Sequence, residues 1–300
     1  MRNVCLEQIF ELAKRDKRVV FIGSDIGVGL IDKYRAELPE QFFMEGISEQ
    51  NLVGVAAGMA REGRIVYLAA IACFFKRALE QIELDVCLHN LPVRLIAFGA
   101  GLAHSCEGPT HLSLNDIALM RALPNMGIIA PADRNEAARV IQATADYPGP
   151  LYIRLGHGAR IVTDERPFEM GKAYVMRRAT CNPAVIISTG NLLGMAIEAS
   201  NLCDVGLLHI PTIKPIDKRA IEIWLQHMRR TGVVTVEEHS VIGGLGSAVA
   251  EIIAESNYPV RLKRLGLPGE FIAGYGPREY MLARYGLTAE GIAAAVKEMQ

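Results

Sequence analysis

Short apolar runs alternate with longer stretches in which apolar residues recur every three or four positions, a pattern that predicts strands separated by helices. Residues 3–15 place Val4, Ile9, Leu12 and Ala13 near one helical face. Val19-Val20-Phe21-Ile22 then reads as a buried strand stopped by Gly23-Ser24-Asp25. After the extended Phe42-Phe43-Met44, Ser48 is placed to cap a helix carrying Leu52, Val53, Val55, Ala56, Ala57, Met59 and Ala60. Apolar residues cover most of that helix, which predicts burial on several sides. Strands are expected at 65–70, 93–98, 127–130 and 151–154, with helices around 74–89, 114–122 and 134–146. From Gly156 to Lys172 the pattern breaks into Gly, Arg, Pro and mixed charge, as a linker does. A second unit follows, with strands at 184–188, 205–210, 233–236 and 260–265. Its helices are expected at 192–202, 217–229, 244–256, 277–285 and 288–299. The expected architecture is α/β: two three-layer α/β/α domains with mostly parallel sheets.

The 300 residues are enough for two domains with separate cores. With 32 Lys and Arg against 33 Asp and Glu, the net charge of -1 argues against a broadly basic nucleic-acid-binding surface. No uninterrupted apolar run reaches the ~18 residues of a membrane span, and the start runs straight into Glu7 and Glu11 without a signal-peptide core. Six cysteines with no CxxC pair are expected to be reduced, mostly buried thiols in a cytoplasmic chain.

Ligands of open parallel sheets bind beyond the carboxyl ends of the strands, which directs attention to 23–29, 45–51, 99–111 and 154–160. Glu49 follows the candidate cap; it is either a carboxylate set against the helix dipole or a buried acid that hydrogen-bonds a ligand nitrogen. The segment 99–111 contains three glycines and one proline and gathers His104, Glu107 and His111 on irregular backbone. It is either a ligand loop, with His able to shuttle protons, or a structural crossover with solvent-facing histidines. It lacks the helical frame of a His/Glu/His metal site. Phe74-Phe75 reads as core, and Gly243-Gly-Leu-Gly246, just ahead of a helix, either presents N–H groups to an anion or serves close helix packing. Glu237-Glu238-His239 reads as a strand-end charge group in preference to a catalytic cluster, while Arg2 and Arg154 are either phosphate ligands or surface charges.

Taken in order, several stretches resemble the C-terminal half of transketolase and of 1-deoxyxylulose-5-phosphate synthase. They are Gly46-Ile-Ser-Glu-Gln-Asn-Leu-Val-Gly-Val-Ala-Ala-Gly-Met-Ala60, Gly108-Pro-Thr-His111, Arg121-Ala-Leu-Pro-Asn-Met126 and Pro131-Ala-Asp133. Thr212-Ile-Lys-Pro-Ile-Asp217 and Val236-Glu-Glu-His-Ser-Val-Ile-Gly-Gly-Leu-Gly-Ser247 complete them. The resemblance implies a pyrimidine-binding domain over 1–158, a linker over 159–175 and a transketolase C-terminal domain over 176–300. It also implies thiamine diphosphate as cofactor, bound here by its pyrimidine end. Glu49 then matches the acid that bonds N1′ of the aminopyrimidine, and Phe74 the stacking aromatic. Asp25, Ile71 and Arg77 fall at further cofactor positions. His111 matches a substrate-contacting histidine, His104 and Glu107 lie in the same substrate loop, and Arg2 and Arg154 match sugar-phosphate ligands.

The departures from the family matter equally. Gly99 stands where transketolases carry a histidine and the synthases an arginine, Glu107 replaces an aspartate, and Ile71 replaces a common aromatic. A carboxylate moved by one methylene spoils one positioned hydrogen bond and permits another. Non-standard substrates are therefore expected. The family holds the diphosphate and its metal with a Gly-Asp-Gly motif followed by Asn, hard oxygen ligands suited to Mg²⁺ or Ca²⁺; these 300 residues contain no Gly-Asp-Gly. The expectation is a split enzyme in which an N-terminal subunit supplies that site, assembled as an α2β2 heterotetramer. It would act on a sugar or sugar phosphate, with no nucleic-acid or membrane partner. Ketol transfer from a ketose to an aldose is the leading activity; a decarboxylative carboligation of a 2-oxo acid and a non-catalytic role are the alternatives.

Overall fold

The computed structural model describes residues 1–24, 30–157, 160–179, 184–227 and 232–299. Two sheets organise them. The first contains β1 (Val19–Ser24), β2 (Phe42–Glu45), β3 (Ile65–Ile71), β4 (Val93–Phe98), β5 (Gly127–Ile129) and β6 (Leu151–Leu155). The second contains β7 (Tyr174–Arg177), β8 (Val185–Ser188) and β9 (Gly206–His209). β10 (Thr212–Lys214) comes next in the chain, and β11 (Gly232–Ser240) and β12 (Arg261–Leu267) complete the second sheet. The strand orders are β10-β5-β6-β4-β3-β1-β2 and β12-β11-β8-β9-β7. All pairings are parallel except β10 with β5 and β7 with β9.

Every residue of β1, β4, β6 and β11 is buried, as expected of parallel strands covered on both faces. Alternate side chains feed two cores. Val20 and Ile22 pack with Leu52, Val53 and Ala56 of the helix Glu49–Arg61, and Val19 and Phe21 pack with Ile9 and Phe10 of the helix Arg2–Arg15. The second sheet repeats this arrangement with its own two cores.

Several elements differ from the sequence reading. Residues 74–89 do not form one regular helix: Ala72–Ala78 is a 3₁₀ segment, Leu79–Gln81 a single α-turn and Ile82–Cys87 a π-helix. The helix Leu30–Glu37 and strands β7 and β10 are additions to the expected elements. Ser48 does occupy the N-cap position, but its hydroxyl donates to Glu45 Oε2 at 3.0 Å and leaves the helix amides alone. A side-chain cap is found instead at Asp133, whose Oδ1 accepts from the Asn135 and Glu136 amides at 2.9 Å. Its Oδ2 accepts from the Val162 and Thr163 amides, tying the segment after β6 to the same helix start.

Cys5, Cys73 and Cys87 are buried free thiols, and Cys106 is exposed in the 99–111 loop; Cys181 lies outside the described residues. Among the described residues no helix is long and apolar enough to cross a membrane.

Candidate functional site

Glu49 is the first residue of its helix, and its side chain is buried. Oε1 meets the Ser24 hydroxyl at the end of β1 at 3.4 Å. Oε2 has the Arg77 Nε 3.9 Å away and no hydrogen-bond donor among the described residues. A buried carboxylate normally collects two or more short donors; among the described residues Glu49 has one long one. Arg77 itself is largely exposed on the 3₁₀ segment that follows β3, and Ile71 sits half-buried at the head of that segment.

Phe74, on the same segment, is half-buried rather than core, and its ring meets His111 edge-on with centroids 5.5 Å apart. Phe75 alone follows the core reading. From His111 the cluster continues to Glu107, whose Oε2 is 3.5 Å from His111 Nε2 and whose Oε1 is 2.9 Å from His104 Nδ1. The hydrogen bond from His104 holds the Glu107 carboxyl below the usual carboxylate range. Thr110 Oγ1 lies 2.9 Å from His111 Nδ1, which leaves Nε2 as the ring's outward polar atom.

The loop owes its shape to tight turns. The amide of Ser105 donates to Leu102 O, Glu107 to His104 O and His111 to Gly108 O, and a β-bridge joins Gly101 to Ser113. At its start Gly99 has φ +64°, and a Cβ there would fall on the His104 imidazole. His104 thus occupies the space that a side chain at position 99 would need.

Arg154 corrects the sequence reading. It is buried, its Nε is 2.8 Å from Asp116 Oδ2, and its Nη2 donates to Ser113 O and Glu238 O. Those acceptors commit it to the interior, so it is no surface charge. Burial pushes the Asp116 carboxyl up, but Arg154, His239 and the Tyr152 hydroxyl together outweigh it and hold Asp116 below its ordinary value. Arg2 is exposed at the first turn of its helix and bonds its neighbour Asn3. Among the described residues it makes no bond to the cluster. Asp25 lies outside the described residues.

Glu237, Glu238 and His239 do lie at the end of β11, but as buried anchors and not as a solvent-facing charge group. Glu237 accepts from the Leu245 and Gly246 amides at 2.7 and 2.8 Å, capping the helix Leu245–Glu255. Glu238 reaches Leu102 in the 99–111 loop, and the Ala118 amide donates to His239 Nε2 at 3.4 Å. Sequence reasoning passes over Asp116, Asn191 and Arg278, which complete these contacts from distant positions.

The two layered sheets and a loop site at their carboxyl ends define a class that comparison with known proteins makes specific. Residues 1–159 match the family profile described as "Transketolase, pyrimidine binding domain", and residues 171–292 match "Transketolase, C-terminal domain". The chain belongs to the transketolase family and is a transketolase-like C-terminal subunit. It is 35% identical to a putative transketolase C-terminal section of Methanocaldococcus jannaschii, over 99% of this chain and 95% of that one. It is 35% identical to 1-deoxy-D-xylulose-5-phosphate synthase 2 of Geobacter sulfurreducens, over 98% of this chain but 48% of the synthase. A solved split gene transketolase, described as an inactive beta4 tetramer, superposes with a TM-score of 0.89 at 33% identity, covering 99% and 97% of the two chains.

Proposed function

We propose that this chain is the C-terminal subunit of a split, thiamine-diphosphate-dependent transketolase that moves a two-carbon ketol unit from a ketose to an aldose of non-standard identity. The observation that carries the reading is Glu49, a buried carboxylate whose only hydrogen bond among the described residues is one long hydroxyl contact. A ring nitrogen of the cofactor's pyrimidine, with one proton between it and the carboxyl oxygen, fits opposite Glu49, and the half-buried Phe74 ring fits as its stacking face. When bound, the cofactor supplies a nucleophilic carbon and an electron sink for breaking and making the carbon–carbon bond.

The chain's own residues do the rest. Glu49, buried at the head of its helix, would share a hydrogen bond with the pyrimidine nitrogen. His111 Nε2, at 3.5 Å from Glu107, is loosely held and turns to a sugar hydroxyl. Glu107 and His104 form a polar edge that reads the sugar's hydroxyls. Gly99 and the long Glu107 side chain give that edge a different outline from the family pattern, which supports a non-standard substrate. An N-terminal subunit carrying Gly-Asp-Gly and Asn holds the diphosphate and Mg²⁺ or Ca²⁺, with two copies of each chain. Relatives of matching length support the two-chain reading, one being named a transketolase C-terminal section and another a split gene transketolase.

The test is reconstitution with such a partner, assayed against a panel of ketose donors and aldose acceptors. Transfer that requires both chains is the expected result. Carbon dioxide release from pyruvate in place of transfer would overturn the reading in favour of the synthase-type reaction, and full turnover by this chain alone would overturn the split assembly.

A further inference from the structure

We propose that Glu238 is a positioning residue: with Arg278, Ser105 and Tyr275 it forms a clasp by which the second domain sets the place of the 99–111 loop. The inference rests on the proposed function only in taking that loop as the one that meets substrate.

The internal turns of the loop fix its shape but not its location. Besides the Ala100 amide on Leu155 O and the Phe74–His111 ring contact within the first domain, its location comes from contacts with residues more than 130 positions later. The Leu102 amide donates to Glu238 Oε1 at 2.7 Å. Glu238 is buried, and its other donors are Asn191 Nδ2 at 2.9 Å and the Arg278 guanidinium, whose Nε is 3.1 Å from both oxygens. A carboxylate this deep is stable only with such donors in place, so its position is over-determined. Gly101, with φ +70°, is what admits it: a Cβ there would lie 2.6 Å from Glu238 Oε1.

Two further contacts hold the far side of the loop. Ser105 Oγ donates to Gly276 O at 2.7 Å, and the Tyr275 ring packs on Gly108 where any side chain would fall. The downstream flank is tied to the same strand, since the Ser240 amide donates to Leu114 O at 2.7 Å. His104, Glu107 and His111 therefore ride on a segment gripped at Leu102, Ser105 and Gly108 by β11 and residues 275–278. Glu238 touches none of the three directly, and acts by where it puts them.

Hydrogen–deuterium exchange on the full chain reads the clasp without any catalytic assay. In Glu238→Gln the amides of 101–111 should exchange about tenfold faster while peptides from β3 and β4 keep their protection. If that variant fails to fold, Tyr275→Ala and Ser105→Ala carry the test; each should loosen the same segment about threefold, and Ser105→Thr should restore it. In the reconstituted enzyme the KM for sugar should rise about tenfold with the half-saturating cofactor concentration unchanged. Unchanged loop exchange, or equal acceleration in β3 and β4, would overturn the proposal. Absence of ketol transfer by the wild-type pair would instead sink the proposed function and leave the exchange result to decide the clasp.

Discussion

Asp116 and Arg154 form a buried ion pair with Nε and Oδ2 2.8 Å apart, and the same guanidinium spans to the carbonyls of Ser113 and Glu238. Removing one partner leaves a charge with no water to solvate it. Asp116→Asn should cost about 3–5 kcal/mol, measured by urea denaturation. Arg154→Met combined with Asp116→Leu should cost less than the sum of the single changes, yet should not return to wild type, because two carbonyls lose their donor.

The neighbouring pair on β11 predicts a pH signature. Burial pushes Glu237 up to about 7 against the pull of two backbone amides, and pushes His239 down to about 4 against the pull of Asp116. A raised carboxyl stabilises the fold fully below its unfolded value of 4.5, and that stabilisation is lost as pH rises through about 7. His239 runs the other way: its contribution is complete above 6.5 and is lost as pH falls through about 4. The two therefore offset each other across the window between the unfolded values. Glu237→Gln should expose the histidine's contribution, so that stability climbs between pH 4 and 6.5 more steeply than in wild type, by up to about 3 kcal/mol. A pH profile parallel to wild type would refute the assignment.

Gly99 and His104 compete for one space. Gly99→Ala should destabilise the chain by about 1–3 kcal/mol, through both the positive φ and the collision. Adding His104→Ala should recover the steric part and leave the backbone part, giving a non-additive double-mutant cycle. Additive effects would mean that the ring moves aside at no cost.

In the reconstituted enzyme Glu49→Ala should lower turnover by about 10²–10⁴-fold. It should also abolish the rise in melting temperature on adding thiamine diphosphate, a readout independent of chemistry. Glu49→Gln keeps the shape but not the charge, and should restore part of the thermal shift without the activity.

How much of this is legible in the sequence depends on the range of the interactions. Strands such as β1 and β4 declare themselves because every residue in them is buried and apolar runs are local facts. The residues 72–87 carry a helical period, but that period does not separate α, 3₁₀ and π backbones. β10 is three residues long, and its partner β5 lies about 80 positions earlier, so nothing in Thr212-Ile-Lys214 itself marks a strand. The same limit applies at the site. Glu49, Phe74 and the His104–Glu107–His111 group can be found from short motifs. Arg154 and Glu238 are misread because what decides their roles, Asp116 in one case and Leu102, Asn191 and Arg278 in the other, sits far off in the chain. The aspartate-capped helix start Asp133-Arg-Asn-Glu136 is a local signal that residue type and spacing could have flagged.

The antiparallel seat of β10 against β5 has a practical corollary. Severing the chain between its two lobes would strip the larger sheet of its border strand and leave Ile128 and Ile129 without their partner on that side. The front fragment should then stick to other copies of itself along that raw margin, so the lobes are best produced as a single piece.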